Sequence, residues 1–189
     1  MSSSTYINIL KSIDKTWTLF LDRDGVINDE KYLAYINTWE EFSFYNGVLE
    51  AIKIFSEKFG RVIIITNQRG IAKGLTLPED LNIIHENLSS EVEKAGGKID
   101  KIYFCGDLDD SSTYRKPNTG MGLQAQGDFP DIDFSKTVMV GNTLSDMQFG
   151  KNLGVALTIF LPTTRPEVSL DHPFIDLVFA DLISFANAL

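Results

Sequence analysis

Two aspartates, Asp22 and Asp24, stand two residues apart directly after the apolar run Trp17-Thr18-Leu19-Phe20-Leu21. Carboxylates this close repel each other and are costly to take out of water, so a sequence that puts them at the end of a buried strand compensates with a cation. A magnesium ion and a phosphate group fit that arrangement. Later segments supply the remaining parts of a phosphoryl-transfer site: the Thr66 hydroxyl with Asn67, the ammonium of Lys116, and Asn142 with Asp146. Taken singly, each of these is also an ordinary strand-end cap or surface charge. Together they ask for a fold that gathers several strand ends into one crevice.

The hydrophobic pattern predicts such a fold. After the first strand comes an irregular stretch from about residue 25 to 46. A helix follows in which Val48, Ile52, Phe55 and Phe59 recur at helical spacing, closed by Gly60. Arg61 to Thr66 is continuous in apolar, β-branched residues, which suits a strand buried on both faces. Thr76-Leu77-Pro78-Glu79 has capping-box spacing, and Leu81, Ile84, Leu88 and Val92 line the next helix, which Gly96-Gly97 ends. Further strands are expected at Ile99–Cys105, Thr137–Gly141, Val155–Leu161 and Ile175–Phe179. A short helix to about Asn152 and a last one to Leu189 complete the pattern. This alternation predicts an α/β fold: a three-layer, doubly wound parallel sheet in one domain spanning 1–189, with no large cap domain.

Composition narrows the classes of function. Seventeen basic against 26 acidic residues give a formal charge of −9, which opposes binding to nucleic acid or to anionic membranes. An anionic substrate must then be held by local cations. The single cysteine, Cys105, excludes an internal disulfide and is expected to pack as a small apolar residue. The first residues lack the basic and apolar regions of a signal peptide, and no apolar run reaches membrane-spanning length, so the expectation is a cytoplasmic protein, monomeric or a small homo-oligomer.

Four motifs in order carry a resemblance: Leu21-Asp22-Arg23-Asp24-Gly25-Val26, Ile65-Thr66-Asn67-Gln68, Arg115-Lys116-Pro117, and Gly141-Asn142-Thr143-Leu144-Ser145-Asp146. Over about residues 17 to 161 the chain resembles the haloacid dehalogenase-like (HAD) phosphatase superfamily. The segments Asn67 to Gly74 and Tyr114 to Met121 are similar to the branch holding D-glycero-D-manno-heptose 1,7-bisphosphate 7-phosphatase and histidinol-phosphate phosphatase. The resemblance implies a magnesium-dependent phosphomonoester hydrolase of carbohydrate metabolism. Asp22 would be the nucleophile and form an aspartyl-phosphate. Asp24 would be the general acid and base, with a raised pKa. Thr66 and Asn67 would hold the phosphoryl oxygens, and Lys116 would neutralise charge between Asp22 and phosphate. Metal would be bound by Asp22, the Asp24 carbonyl and the fourth motif, where Asn142 stands in place of the branch's usual aspartate. Asp146 would bind metal through water or orient Lys116. Arg69, Lys73 and Arg115 map to substrate-contacting positions, which suits a second phosphate. Asn28 and Tyr32 are expected in a lid.

Many members of that branch carry a zinc loop, but this chain keeps only Cys105 and runs through Asp107, Asp109 and Asp110 instead, so no structural zinc is expected and those aspartates read as a solvated turn. His85 and His172 lack ligand neighbours and read as structural or solvated. A receiver domain also clusters aspartates, a threonine and a lysine, but its acceptor follows a later strand. Histidinol phosphate as substrate, and a weakly active or non-catalytic sugar-phosphate-binding protein because of Asn142, remain the alternatives at this point.

Overall fold

The computed structural model describes residues 3–31 and 34–189. Its elements in chain order are α1 (Ser3–Lys11), β1 (Thr18–Leu21), α2 (Val48–Lys58), β2 (Arg61–Asn67), α3 (Pro78–Lys94), β3 (Lys101–Cys105), α4 (Gly120–Asp128), β4 (Thr137–Gly141), α5 (Leu144–Leu153), β5 (Leu157–Phe160), β6 (Leu177–Val178) and α6 (Leu182–Ala186). All six strands join one parallel sheet in the order β3-β2-β1-β4-β5-β6. The central strand β1 pairs Thr18 with Arg61 on one side and with Thr137 on the other. Its direction of winding reverses between β1 and β4, where open α/β sheets place their ligands.

Strand residues alternate between two cores. Leu19, Leu21, Val62, Ile64, Val138 and Val140 pack beneath α2 and α6 with Ile52, Phe55 and Phe185. Phe20, Ile63, Ile65 and Met139 face the other way, against Met121 of α4 and Phe149 of α5. The continuous apolar runs thus belong to strands covered on both faces. Each fully buried Leu, Ile, Val or Phe contributes roughly 1.5 to 3 kcal/mol of transfer free energy. No helix among the described residues is long and apolar enough to cross a membrane.

Several expectations shift in detail. The β5, β6 and α6 segments are shorter than the apolar runs that mark them, and α6 ends at Ala186 rather than Leu189. The capping box at Thr76 does not form. The helix starts one residue later, with Leu77 at the N-cap and Pro78 as its first residue, because the Thr76 hydroxyl donates to Asn37 Oδ1 at 2.7 Å. A full capping box forms at α5, between Thr143 and Asp146. Helices α1 and α4 were outside the sequence reading. In α1, Leu10 is buried, and the Tyr6 hydroxyl reaches Asp176 Oδ1 at 3.1 Å. Cys105 is buried in the core, as expected of a small apolar residue.

Candidate active site

The strand ends converge as the motifs require. The Asp22 amide donates to Val140 O at 3.0 Å, which holds the residue at the edge of the sheet between β1 and β4. Above it opens a cavity of about 430 Å³. Six cations line it, Lys31, Arg69, Lys73, Arg115, Lys116 and Arg165, against four carboxylates, Asp22, Asp24, Glu30 and Asp146. In a chain of net charge −9, this is a local reversal of sign.

Lys116 is the hub. Its buried Nζ donates to Asp22 Oδ1 at 2.8 Å and to Ile65 O at 2.7 Å, and pairs with Asp146 Oδ1 at 2.6 Å, so all three ammonium hydrogens are used. The backbone of Lys116 is pinned by Asn67: the Lys116 amide donates to Asn67 Oδ1 and Asn67 Nδ2 donates to Lys116 O, both at 3.1 Å. The Asn67 side chain is therefore spent on the lysine loop, and the group expected on the phosphoryl oxygens is its backbone N–H. Asp146 accepts at Oδ2 from the Thr143 amide at 3.0 Å and hydroxyl at 2.6 Å. One of its oxygens caps α5 and the other holds Lys116. Burial pushes the Asp22 carboxyl up to about 7, opposed by Lys116 and reinforced by Asp146 and Asp24. The lysine moves up too: burial works against its charge, but Asp146 and Asp22 outweigh it.

Asp24 departs from expectation. Its carboxyl was expected to be raised, but it is held below its ordinary value. Burial alone pushes it up; Arg23, Asn28 and Gln68 overcome that. Arg23 is fully buried, and its Nη2 reaches both Asp24 oxygens, at 2.9 and 3.0 Å. Gln68 Nε2 donates to Asp24 Oδ2 at 2.8 Å and to Thr66 Oγ1 at 2.9 Å. Behind Arg23, Nη1 lies 3.2 Å from His85 Nε2. Burial and the adjacent guanidinium lower His85 to about 3, so its neutral ring accepts from Arg23. Asn28 is also corrected: it is fully buried and donates to Asp24 Oδ1 at 3.0 Å, fixed beneath the cavity rather than forming a lid. Tyr32 lies outside the described residues.

Of the expected substrate contacts, Arg69, Lys73 and Arg115 all line the cavity. Arg69 Nη2 and Arg115 Nε both bind Asp110 Oδ1, at 2.6 and 2.9 Å, so the acidic loop meets two arginines. Lys73 Nζ sits 5.3 Å from the Tyr35 ring centre. Arg165 and Glu30, which also line the cavity, pair at 2.7 Å.

Three buried side-chain atoms lack a partner among the described residues: Asn28 Oδ1, Arg69 Nε and Asn142 Oδ1. The last belongs to a fully buried amide packed over Gly25, whose φ of +81° turns the loop carrying Asp22 and Asp24. A Cβ on Gly25 would lie 2.0 Å from Asn142 Nδ2, so only glycine allows the contact. A buried, unpaired amide oxygen on a side chain packed against the loop that carries Asp22 and Asp24 suits a hard divalent cation such as magnesium.

The polynucleotide kinase 3 phosphatase family profile matches residues 18–186, which span every strand and the whole site. The chain belongs to this family of HAD-like phosphatases. The phosphatase is 40% identical over 154 residues to a D-glycero-alpha-D-manno-heptose-1,7-bisphosphate 7-phosphatase of Campylobacter jejuni, covering 81% of this chain and 87% of the relative. It is 30% identical over 179 residues to the beta-anomer enzyme of Yersinia pestis, covering 90% and 94%. A solved D,D-heptose 1.7-bisphosphate phosphatase from B. bronchiseptica, complexed with magnesium and phosphate, matches with a TM-score of 0.80 at 29% identity, covering 90% of this chain and 96% of that one.

Sequence reasoning missed Arg23, Gln68, His85, Glu30 and Arg165 as parts of the phosphatase site. Arg23 and Gln68 stood inside quoted motifs, and an arginine between two aspartates was a usable signal. His85 carried none, because its partner is 62 residues away.

Proposed function

We propose that the phosphatase, acting as one domain, hydrolyses a phosphomonoester of a small sugar bisphosphate, with the 7-phosphate of D-glycero-D-manno-heptose 1,7-bisphosphate as the preferred ester. The observation that carries the reading is Lys116 bridging Asp22 and Asp146 at the floor of a cationic cavity. Asp22 is the nucleophile: its carboxylate attacks phosphorus, and the ester oxygen leaves with a proton. Lys116 offsets the repulsion between that carboxylate and the phosphate. Asp24 gives the leaving ester oxygen its proton and takes one back from the attacking water in the second step, so the proton balances over a turnover; its clamp by Arg23 favours the carboxylate, the form that the second step needs. Thr66 and the Asn67 backbone face the transferring oxygens.

Asp22, the Asp24 main-chain carbonyl and Asn142 Oδ1 would hold magnesium. When bound, magnesium supplies charge neutralisation and orientation of the phosphate. Asp146 we assign to positioning Lys116, because both of its oxygens are already engaged by protein. Arg69, Lys73 and Arg115, with Lys31 and Arg165, line the cavity and suit the second phosphate. The names of the relatives support the heptose substrate, and the cation-lined cavity supports a doubly phosphorylated one.

The test is phosphate release from heptose 1,7-bisphosphate, histidinol phosphate and simple sugar phosphates, with and without magnesium, using Asp22→Asn as the blank. Release that prefers the heptose ester and vanishes in Asp22→Asn is expected. An unchanged rate in Asp22→Asn would refute the nucleophile, and preference for a singly phosphorylated sugar would refute the substrate class.

A further inference from the structure

Asn142 is fully buried, yet one of its polar atoms is unpaired. Its Nδ2 donates to Thr164 Oγ1 at 2.6 Å and to Glu30 Oε2 at 3.3 Å, whereas Oδ1 receives no donor. A carboxylate can only accept, so Glu30 decides which end of the amide faces it. The NH₂ turns to Glu30 and the oxygen turns away. That oxygen belongs to a side chain pressed against the loop of Asp22 and Asp24, since a Cβ on Gly25 would come within 3.2 Å of it. Arg165 in turn holds Glu30 from the far side: its Nη2 binds Oε1 at 2.7 Å, leaving Oε2 for the amide.

We propose that Glu30 and Asn142 are a matched pair that prepares the cation site. Glu30 fixes the amide so that its oxygen is left free for a hard divalent cation, and it supplies from beyond the ligands the negative charge an amide lacks. Glu30 is a positioning residue, acting through Asn142. The proposal rests on the phosphatase reading and adds a residue contributed by the long connection before α2. The two positions must change together. An aspartate at 142 would face the Glu30 carboxylate within hydrogen-bonding distance, and the two charges would repel.

The test is direct binding of Mn²⁺, read as loss of the free-ion electron paramagnetic resonance signal, on substrate-free protein. Wild type, Glu30→Gln, Asn142→Asp and the double variant are compared, with thermal melts in EDTA to show that each is folded. Glu30→Gln is expected to weaken binding about tenfold, the scale of losing a group that orients a metal ligand. Asn142→Asp with Glu30→Gln should bind more tightly than Asn142→Asp alone. Thr164→Val removes the other acceptor of the same amide but no charge, and should weaken binding less than Glu30→Gln. Unchanged binding in Glu30→Gln, a single Asn142→Asp as tight as the double, or a larger effect at Thr164 would each overturn the pairing. If wild type binds Mn²⁺ and only these comparisons fail, the phosphatase reading stands. If wild type binds none while Asp22-dependent phosphate release persists, the pairing and the cation site fall and the nucleophile survives.

Discussion

Asp146→Asn separates two roles that one carboxylate could play, ligand to a metal or partner to Lys116. The geometry assigns the second: Oδ1 lies 2.6 Å from the buried ammonium, and Oδ2 is occupied by Thr143. Removing one partner of a buried ion pair costs about 3 to 5 kcal/mol because the other charge is left uncompensated. Lys116 keeps Asp22 and the Ile65 carbonyl as acceptors, and the asparagine keeps one oxygen. The lower end, about 3 kcal/mol, is therefore expected. In a domain of this size each kcal/mol moves the melting temperature by about 2 to 4 °C, so Tm should fall by about 6 to 12 °C. Urea denaturation in EDTA measures the loss without metal. Mn²⁺ affinity should change little, and kcat should fall more than KM rises, because the lysine is displaced from the nucleophile. Unaltered stability in EDTA together with a large loss of Mn²⁺ affinity would refute the reasoning and make Asp146 a metal ligand.

Gly25→Ala should destabilise by about 2 kcal/mol or more and abolish turnover, since it combines a left-handed φ with a contact at 2.0 Å from Asn142; a fully active, equally stable variant would show that the loop can move aside. Burial pushes the Asp176 carboxyl up, but Lys151 and the Thr158 amide outweigh it and hold it below its ordinary value. Its contribution is present above the unfolded pKa of about 3.9 and is lost as pH falls through the lower folded value. Asp176→Asn should therefore cost about 1 to 2 kcal/mol at pH 7 in denaturant titrations. That gap should close below about pH 4, and a gap independent of pH would contradict the assignment. Asp110 is an exposed loop residue bound to Arg69 and Arg115, so Asp110→Asn should leave Tm unchanged while lowering KM for a bisphosphate a few-fold; a raised KM would mean that the loop organises the arginines instead.

The sheet was legible because Arg61 to Thr66 and Thr137 to Gly141 are apolar runs with no alternative use, and because the polar motifs follow them directly. Lys116, Asp22 and Asp146 are brought into contact by that topology alone. What escaped was set by contacts between distant segments. The Thr76 hydroxyl looks like a cap until Asn37 claims it. Asp24 looks like a carboxyl that should be raised, but a buried Arg23 backed by His85 reverses the sign. Arg165 follows β5 and meets Glu30, 135 residues earlier, only once the sheet has closed. Local pattern carries no record of such pairings.

Besides Lys116, four of the cations around the cavity are not waiting charges. Arg69 and Arg115 share Asp110, Arg165 holds Glu30, and Lys31 pairs with Glu41 at 2.9 Å. An incoming phosphate therefore exchanges partners with carboxylates already in place, and the binding energy is the difference between two ion pairs rather than the whole of one. The same carboxylates that weaken the hold on a phosphate also occupy the arginines when none is bound.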